Sequence, residues 1–72
     1  MEIYMTRVNS SNVESIGYDT PSQTLRIKFN YGGIYDYVSV PAVVYQLMLV
    51  APSKGKFINE KLKGIYQFKK IN

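Results

Sequence analysis

The sequence predicts an α+β domain in the order β-β-β-α-α-β: an antiparallel three-stranded meander, two helices packed on one face, and a C-terminal strand. Three observations predict it. Residues 24–41 alternate apolar and polar side chains on both sides of Gly32-Gly33, which is the pattern of a hairpin. Residues 42–51 are apolar almost throughout and follow a proline, as a buried helix does. Residues 65–71 then return to alternation. The length of 72 residues is that of a single domain, 1–72, and with no cysteine its core must come from packing alone. Seven tyrosines and three phenylalanines supply large buried areas at small rotamer cost.

In chain order, residues 1–8 alternate loosely around Ile3 and Met5, and a short or frayed strand is expected there. Asn9-Ser10-Ser11-Asn12 is a turn cluster whose short polar side chains bond their own backbone. Residues 13–18 read as a strand weakened at Gly17, which is the mark of a bulge. Pro21 fixes the following connector and biases Thr20 away from helix. Leu25, Ile27 and Phe29 then alternate with Arg26, Lys28 and Asn30. With a loop at Tyr31-Gly32-Gly33, Asn30 pairs with Ile34, Phe29 with Tyr35 and Ile27 with Tyr37. That register gathers the aliphatic row and both tyrosines on one face and sends Asp36 to water.

Ser39 is the expected N-cap of the first helix. Its stripe Val44, Leu47, Met48 and Ala51 should lie on the sheet, leaving Val43, Tyr45, Leu49 and Val50 in surplus. Ser53 caps a second helix that buries Phe57, Ile58 and Leu62 and ends at Gly64. Lys54 and Lys61 flank its apolar side, and Lys56, Glu60 and Lys63 share its wet one. Asn59, one turn from Gly55, is expected to hold the turn at residues 53–56 by side-chain bonds to the backbone.

The composition narrows function mainly by exclusion. Without histidine or cysteine the chain lacks the commonest general base, the thiolate nucleophile and most metal ligands. Its five carboxylates are scattered, and Gly32-Gly33 precedes a strand where a phosphate cradle needs a helix. No catalysis and no cofactor are expected. The N-terminus has no continuous apolar run of the signal-peptide kind, and the longest apolar stretch is too short for a bilayer, so a cytoplasmic protein with no membrane partner is expected. The net charge of +4 is unevenly placed: residues 53–72 carry six lysines against Glu60 alone. Such asymmetry points to an anionic partner, and a plain solubilising face accounts for it equally well.

With these residues in hand, the chain resembles the KTSC family, small bacterial domains also found at the C-terminus of some lysyl-tRNA synthetases. The resemblance runs over nearly the whole chain. It lies in Ser10-Ser11-Asn12, Ile16-Gly17-Tyr18-Asp19, Gly33-Ile34-Tyr35-Asp36-Tyr37, Val40-Pro41, Ser53-Lys54-Gly55-Lys56-Phe57 and Asn59, with Tyr35-Asp36-Tyr37 supplying the family's Tyr-x-Tyr hallmark. It implies no catalytic activity, and the synthetase association implies RNA as a partner. Leu49-Val50 makes the first helix greasier than the family pattern, which favours self-association.

Two functions from different classes are therefore expected of the residues. The first is RNA binding without sequence specificity, through Lys54, Lys56, Lys61, Lys63, Lys69 and Lys70 with Tyr31 as the exposed stacking ring. Lysine in place of arginine fits loose phosphate contact better than base readout. Tyr35, Tyr37, Tyr66 and Phe68 are assigned to the core. Residues 63–68 superficially match an RNA-recognition signature, but their aromatic spacing and the order of elements are wrong for it. The second function is a protein-interaction module, homodimerising through Tyr45, Leu49 and Val50.

Overall fold

The computed structural model describes residues 2–72. Met1, the first residue of the span expected to form one domain, lies outside the described residues. The chain is α+β, with a five-stranded antiparallel sheet in the order β1-β2-β3-β4-β5. The strands are β1 (Thr6–Arg7), β2 (Val13–Asp19), β3 (Thr24–Phe29), β4 (Ile34–Tyr37) and β5 (Phe68–Lys70). Between β4 and β5 come α1 (Ala42–Val50) and α2 (Lys54–Phe57), the latter running straight into a π-helical turn, Ile58–Leu62. The expected β-β-β-α-α-β is thus short by one strand. The N-terminal alternation gives a two-residue β1 on the β2 edge, and the last strand returns to the β4 edge.

The core lies between the sheet and the helices. Ile16, Leu25, Ile27 and Tyr37 from the sheet pack with Met48, Ile58 and Leu62, joined by Val13 and Val40. Each is almost wholly removed from water, and burial of such side chains stabilises by about 1.5–3 kcal/mol apiece before entropy is counted.

The β3–β4 register differs from the expected one by two residues. Ile27 pairs with Tyr35, and Leu25 with Tyr37. The turn is longer because Asn30 is drawn out of the ladder: its N–H donates to the Asn12 carbonyl (2.9 Å), and the loop closes from the Phe29 N–H to the Gly33 carbonyl (3.1 Å). Gly32 and Gly33 both take φ 90°, open to glycine at no cost. A shift of two preserves the alternation, so the aliphatic row and the tyrosines still share a face.

The new register sets Arg26 directly opposite Asp36, and the expectation that Asp36 faces water is overturned. Its carboxylate accepts from Arg26 Nε (2.7 Å) and a terminal guanidinium nitrogen (3.0 Å). The face is the one turned away from the helices, but residues 3–5 cross it. They pass over Gly17, Arg26's neighbour on β2. A Cβ at Gly17 would overlap the Tyr4 carbonyl oxygen and sit 2.6 Å from Ile3 Cγ2. Gly17 is therefore the site of a close backbone approach, and the strand irregularity falls between Val13 and Ser15 instead.

At the other end of β4, Ser39 does not cap α1. It takes φ 57°, and Pro41 precedes the helix with no side-chain cap. The corner is pinned at Val40, whose N–H donates to the Gln23 carbonyl (2.9 Å) and whose carbonyl accepts from the Tyr18 hydroxyl. Tyr45 stacks on Tyr18 with ring centroids 5.3 Å apart. The α1 stripe is rotated accordingly: Met48 is buried and Val44 and Tyr45 half-buried, whereas Leu47 is exposed. Among the described residues no helix is long and apolar enough to cross a membrane.

Candidate functional site

The alternation that buries Tyr37 also carries Tyr35 and Phe68 to the open end of the same sheet face. Tyr37 pairs with Phe68 across β4 and β5, and Tyr35 pairs with Lys70. Four rings meet there. Phe29 meets Tyr35 edge-on (5.5 Å between centroids), and Phe68 lies tilted over both Tyr35 (5.7 Å) and Tyr37 (5.4 Å). Lys63 completes the wall of a groove of about 330 Å³ formed with these rings. Burial first, and the neighbouring Tyr35 second, pushes the Tyr37 phenol above its ordinary 10.0, so it stays a neutral hydrogen-bonding group.

Lys63 reaches this position through the π-helical turn. The Lys63 N–H donates to the Ile58 carbonyl (2.9 Å), a five-residue step that keeps Ile58 and Leu62 both buried while Lys63 is set free at the end. A π-turn inserted in a helix is frequent at functional sites because it redirects one side chain without breaking the ladder.

A second hollow of about 250 Å³ adjoins the first and shares Phe29 and Lys63 with it; Asn12, Tyr31, Gly55, Ile58 and Asn59 complete its lining. Asn12 organises this end. Its side chain accepts from the Tyr31 hydroxyl (2.9 Å), and its own N–H donates to Ser10 Oγ (3.2 Å). It lies so close to Gly55 that a Cβ there would strike the Asn12 amide nitrogen. That contact explains a glycine inside α2, where propensity alone disfavours it by about 1 kcal/mol. Tyr31 is 80% exposed yet its ring is held in place by its hydroxyl.

The structure separates the sequence-predicted lysines. Lys63 lines both hollows, and the Lys70 side chain passes the Gly33 turn on the Tyr35 side of the sheet. Lys69 pairs with Asp36 and so belongs to the opposite face. Lys61 lines a different hollow, with Val44, Leu47, Phe57 and Tyr66. Lys56 is exposed on α2. Lys54 is occupied in structure: its ammonium donates to the carbonyls of Leu49 (3.1 Å) and Ala51 (2.7 Å), closing the C-terminus of α1. Tyr31 joins Lys63.

At this face two more residues differ from the sequence expectation. Phe68, expected in the core, is 54% exposed. The signal was the edge position of a strand that also carries Lys69 and Lys70, since an edge strand is covered on fewer sides. Asn59 is exposed on the rim of the second hollow, and the turn at residues 53–56 is held by Ser53 Oγ, which accepts from the Lys56 N–H (3.2 Å).

The surplus apolar surface of α1 is also redrawn. Tyr45 is stacked inward, and the exposed residues aligned on one side are Val43 (56%), Leu47 (54%) and Val50 (76%), with Leu49 beside them. Their i, i+4, i+7 spacing makes one continuous stripe.

Comparison with known proteins gives three concordant results. The KTSC domain profile matches residues 9–66. The chain is 32% identical over 68 residues to the lysine–tRNA ligase of Nostoc punctiforme, covering 94% of this chain and 12% of that enzyme; it therefore spans about an eighth of the ligase. A protein of Tsukamurella paurometabola is 41% identical over 59 residues, 82% of this chain and 88% of the relative. Among solved structures, a KTSC domain protein of Yersinia pestis superposes with a TM-score of 0.94 at 37% identity, covering 99% of this chain and all of the other.

Proposed function

The chain belongs to the KTSC domain family, and on that footing we propose that it is a non-catalytic module that binds RNA through the sheet face that carries the aromatic groove, with Lys63 on the groove and Lys70 beside the Gly33 turn. The observation that carries this reading is the juxtaposition itself. Lys63 lines a groove whose outer ring, Phe68, is half exposed, Lys70 lies on the same sheet face beside the Gly33 turn, and the held ring of Tyr31 lies in the adjoining hollow. Lysines satisfy phosphates and exposed rings accept stacked bases, which is the combination single-stranded nucleic-acid binders use. Support of another kind comes from the relatives. The ligase of Nostoc punctiforme is named for a reaction on tRNA, and a segment similar to nearly this whole chain forms part of it. The absence of histidine and cysteine underlies the non-catalytic half of the proposal.

Fluorescence anisotropy with labelled single-stranded RNA and tRNA at two ionic strengths tests it. Binding should be saturable at low salt and weaken as salt rises, with a log–log slope of roughly −0.7 per phosphate contacted. Removing Lys63 and Lys70 together should make that slope shallower by about 1.4. Absence of saturable binding at low salt overturns the proposal.

A second reading, self-association through α1, is favoured by the Val43, Leu47 and Val50 stripe. The helix carries no charged residue, so two copies meet there without like-charge opposition. Sedimentation at rising concentration tests it: an apolar dimer persists at high salt, and a monomer at every concentration excludes it.

A further inference from the structure

We propose that the two hollows are successive base subsites for one single strand, with Lys63 placed on the phosphate between them and Asn59 reading the edge of the base at Tyr31. This rests on the RNA reading above and narrows it to unpaired RNA, two adjacent nucleotides at a time.

The geometry supplies each part. Phe29 and Lys63 line both hollows, so a chain passing from one to the other meets these two residues, and Lys63 is the charged one. The first hollow, at about 330 Å³, is at the small end of ligand pockets and has an aromatic lining, with Phe68 as the ring open to stacking. Its polar lining residues are Tyr35, Tyr37 and Lys63, with no amide to tell one base from another. The second hollow differs in chemistry. Its ring, Tyr31, is fixed by Asn12, and the exposed amide of Asn59 offers a donor and an acceptor beside it. An amide next to a stacked base reads its Watson–Crick or Hoogsteen edge, and only an unpaired base presents that edge. A duplex keeps its bases stacked on each other and cannot place rings against Phe68 and Tyr31 at once. The first subsite is therefore permissive and the second selective.

The test uses the full chain, labelled homo-oligomers of each of the four ribonucleotides, a blunt RNA duplex of equal length, and backbone and aromatic NMR shifts for position. Single strands should bind at least about 10-fold more tightly than the duplex, with shifts at Lys63, Phe68, Tyr31 and Asn59 together. Phe68→Ala should weaken every oligomer by about 10-fold, and Phe68→Leu, which keeps the packing on Tyr35, should weaken them similarly if stacking is what is lost. Asn59→Ala should compress the differences among the four homo-oligomers by weakening the tightest binder most. Equal affinity for duplex and single strand, or shifts confined to lysines away from the hollows, overturns the inference and leaves RNA binding standing. No binding of either form at low salt overturns both.

Discussion

Removing Arg26 should cost this domain far more than removing Asp36, although the two make the same pair. The Asp36 side chain is 3% exposed and that of Arg26 21%. Arg26→Leu leaves a buried carboxylate stripped of its two charge-assisted bonds; breaking a buried pair in this way costs about 3–5 kcal/mol. Asp36→Leu leaves a guanidinium with a route to water, and the cost falls to about 1–2 kcal/mol. The hydrogen bond to Asp36 is also the chief reason that Arg26 is held above its ordinary pKa. Replacing both removes the orphan, so the double variant should lie within about 2 kcal/mol of the wild type and the cycle should show coupling of roughly 2 kcal/mol or more. A chain of this length has a total stability of about 4–11 kcal/mol, which makes the difference easy to read in urea unfolding followed by circular dichroism. If Arg26→Leu does not fold at all, Arg26→Lys retains the charge without the fork and should fall in between. Equal costs for the two single variants, or additivity within about 0.5 kcal/mol, would refute the assignment of Asp36 as the buried, dependent partner.

Three further outcomes follow from particular contacts. Gly17→Ala should destabilise by about 1–3 kcal/mol in thermal melts, and the cost should vanish in a chain lacking residues 1–5, because the added methyl meets the Tyr4 carbonyl; an undiminished cost there would refute it. Tyr18 keeps its proton above the ordinary value of 10.0, through burial first and the Asp19 charge second. Above about pH 10 the unfolded chain has lost that proton while the folded chain retains it, so this contribution is fully present below about pH 10 and is lost as pH rises through the raised value. Tyr18→Phe should therefore flatten the alkaline fall in urea midpoints, and at neutral pH should cost about 1 kcal/mol by orphaning the Val40 carbonyl. Lys54→Ala should lower stability by roughly 0.5–1.5 kcal/mol through the freed carbonyls of Leu49 and Ala51, yet leave the affinity for single-stranded RNA within about 2-fold in anisotropy titrations.

What could be read in advance was whatever depends on alternation. Which face holds Ile27 with the tyrosines is a matter of parity, and parity survived a two-residue error in the turn. What could not be read was whatever depends on a distant segment arriving. Asn30 leaves the hairpin ladder because Asn12 takes its N–H, and nothing within residues 24–41 announces that bond. Asp36 was assigned to water on the sound ground that it faces away from the aliphatic row, and the error lay in treating that face as open. Gly17 was the available clue. A glycine in the middle of a strand signals either a bulge or another backbone passing close by, and only the fold decides between them.

The lysines illustrate the same limit from the functional side. Composition groups the C-terminal lysines together because they are neighbours along the chain, but charge acts through space. The π-helical turn sends Lys63 to the rings, Lys54 is spent on a helix end, and the strand's alternation divides Lys70 from Lys69 across the sheet. A binding surface built on net charge would weaken by similar steps whichever lysine were removed. One built on the two hollows must depend on Lys63 out of proportion to its single charge, because it alone of the six lines both. Single-alanine variants at Lys56, Lys61 and Lys63, titrated with one RNA at one salt concentration, distinguish these. Matched losses at all three positions would mean that the aromatic groove is incidental to binding.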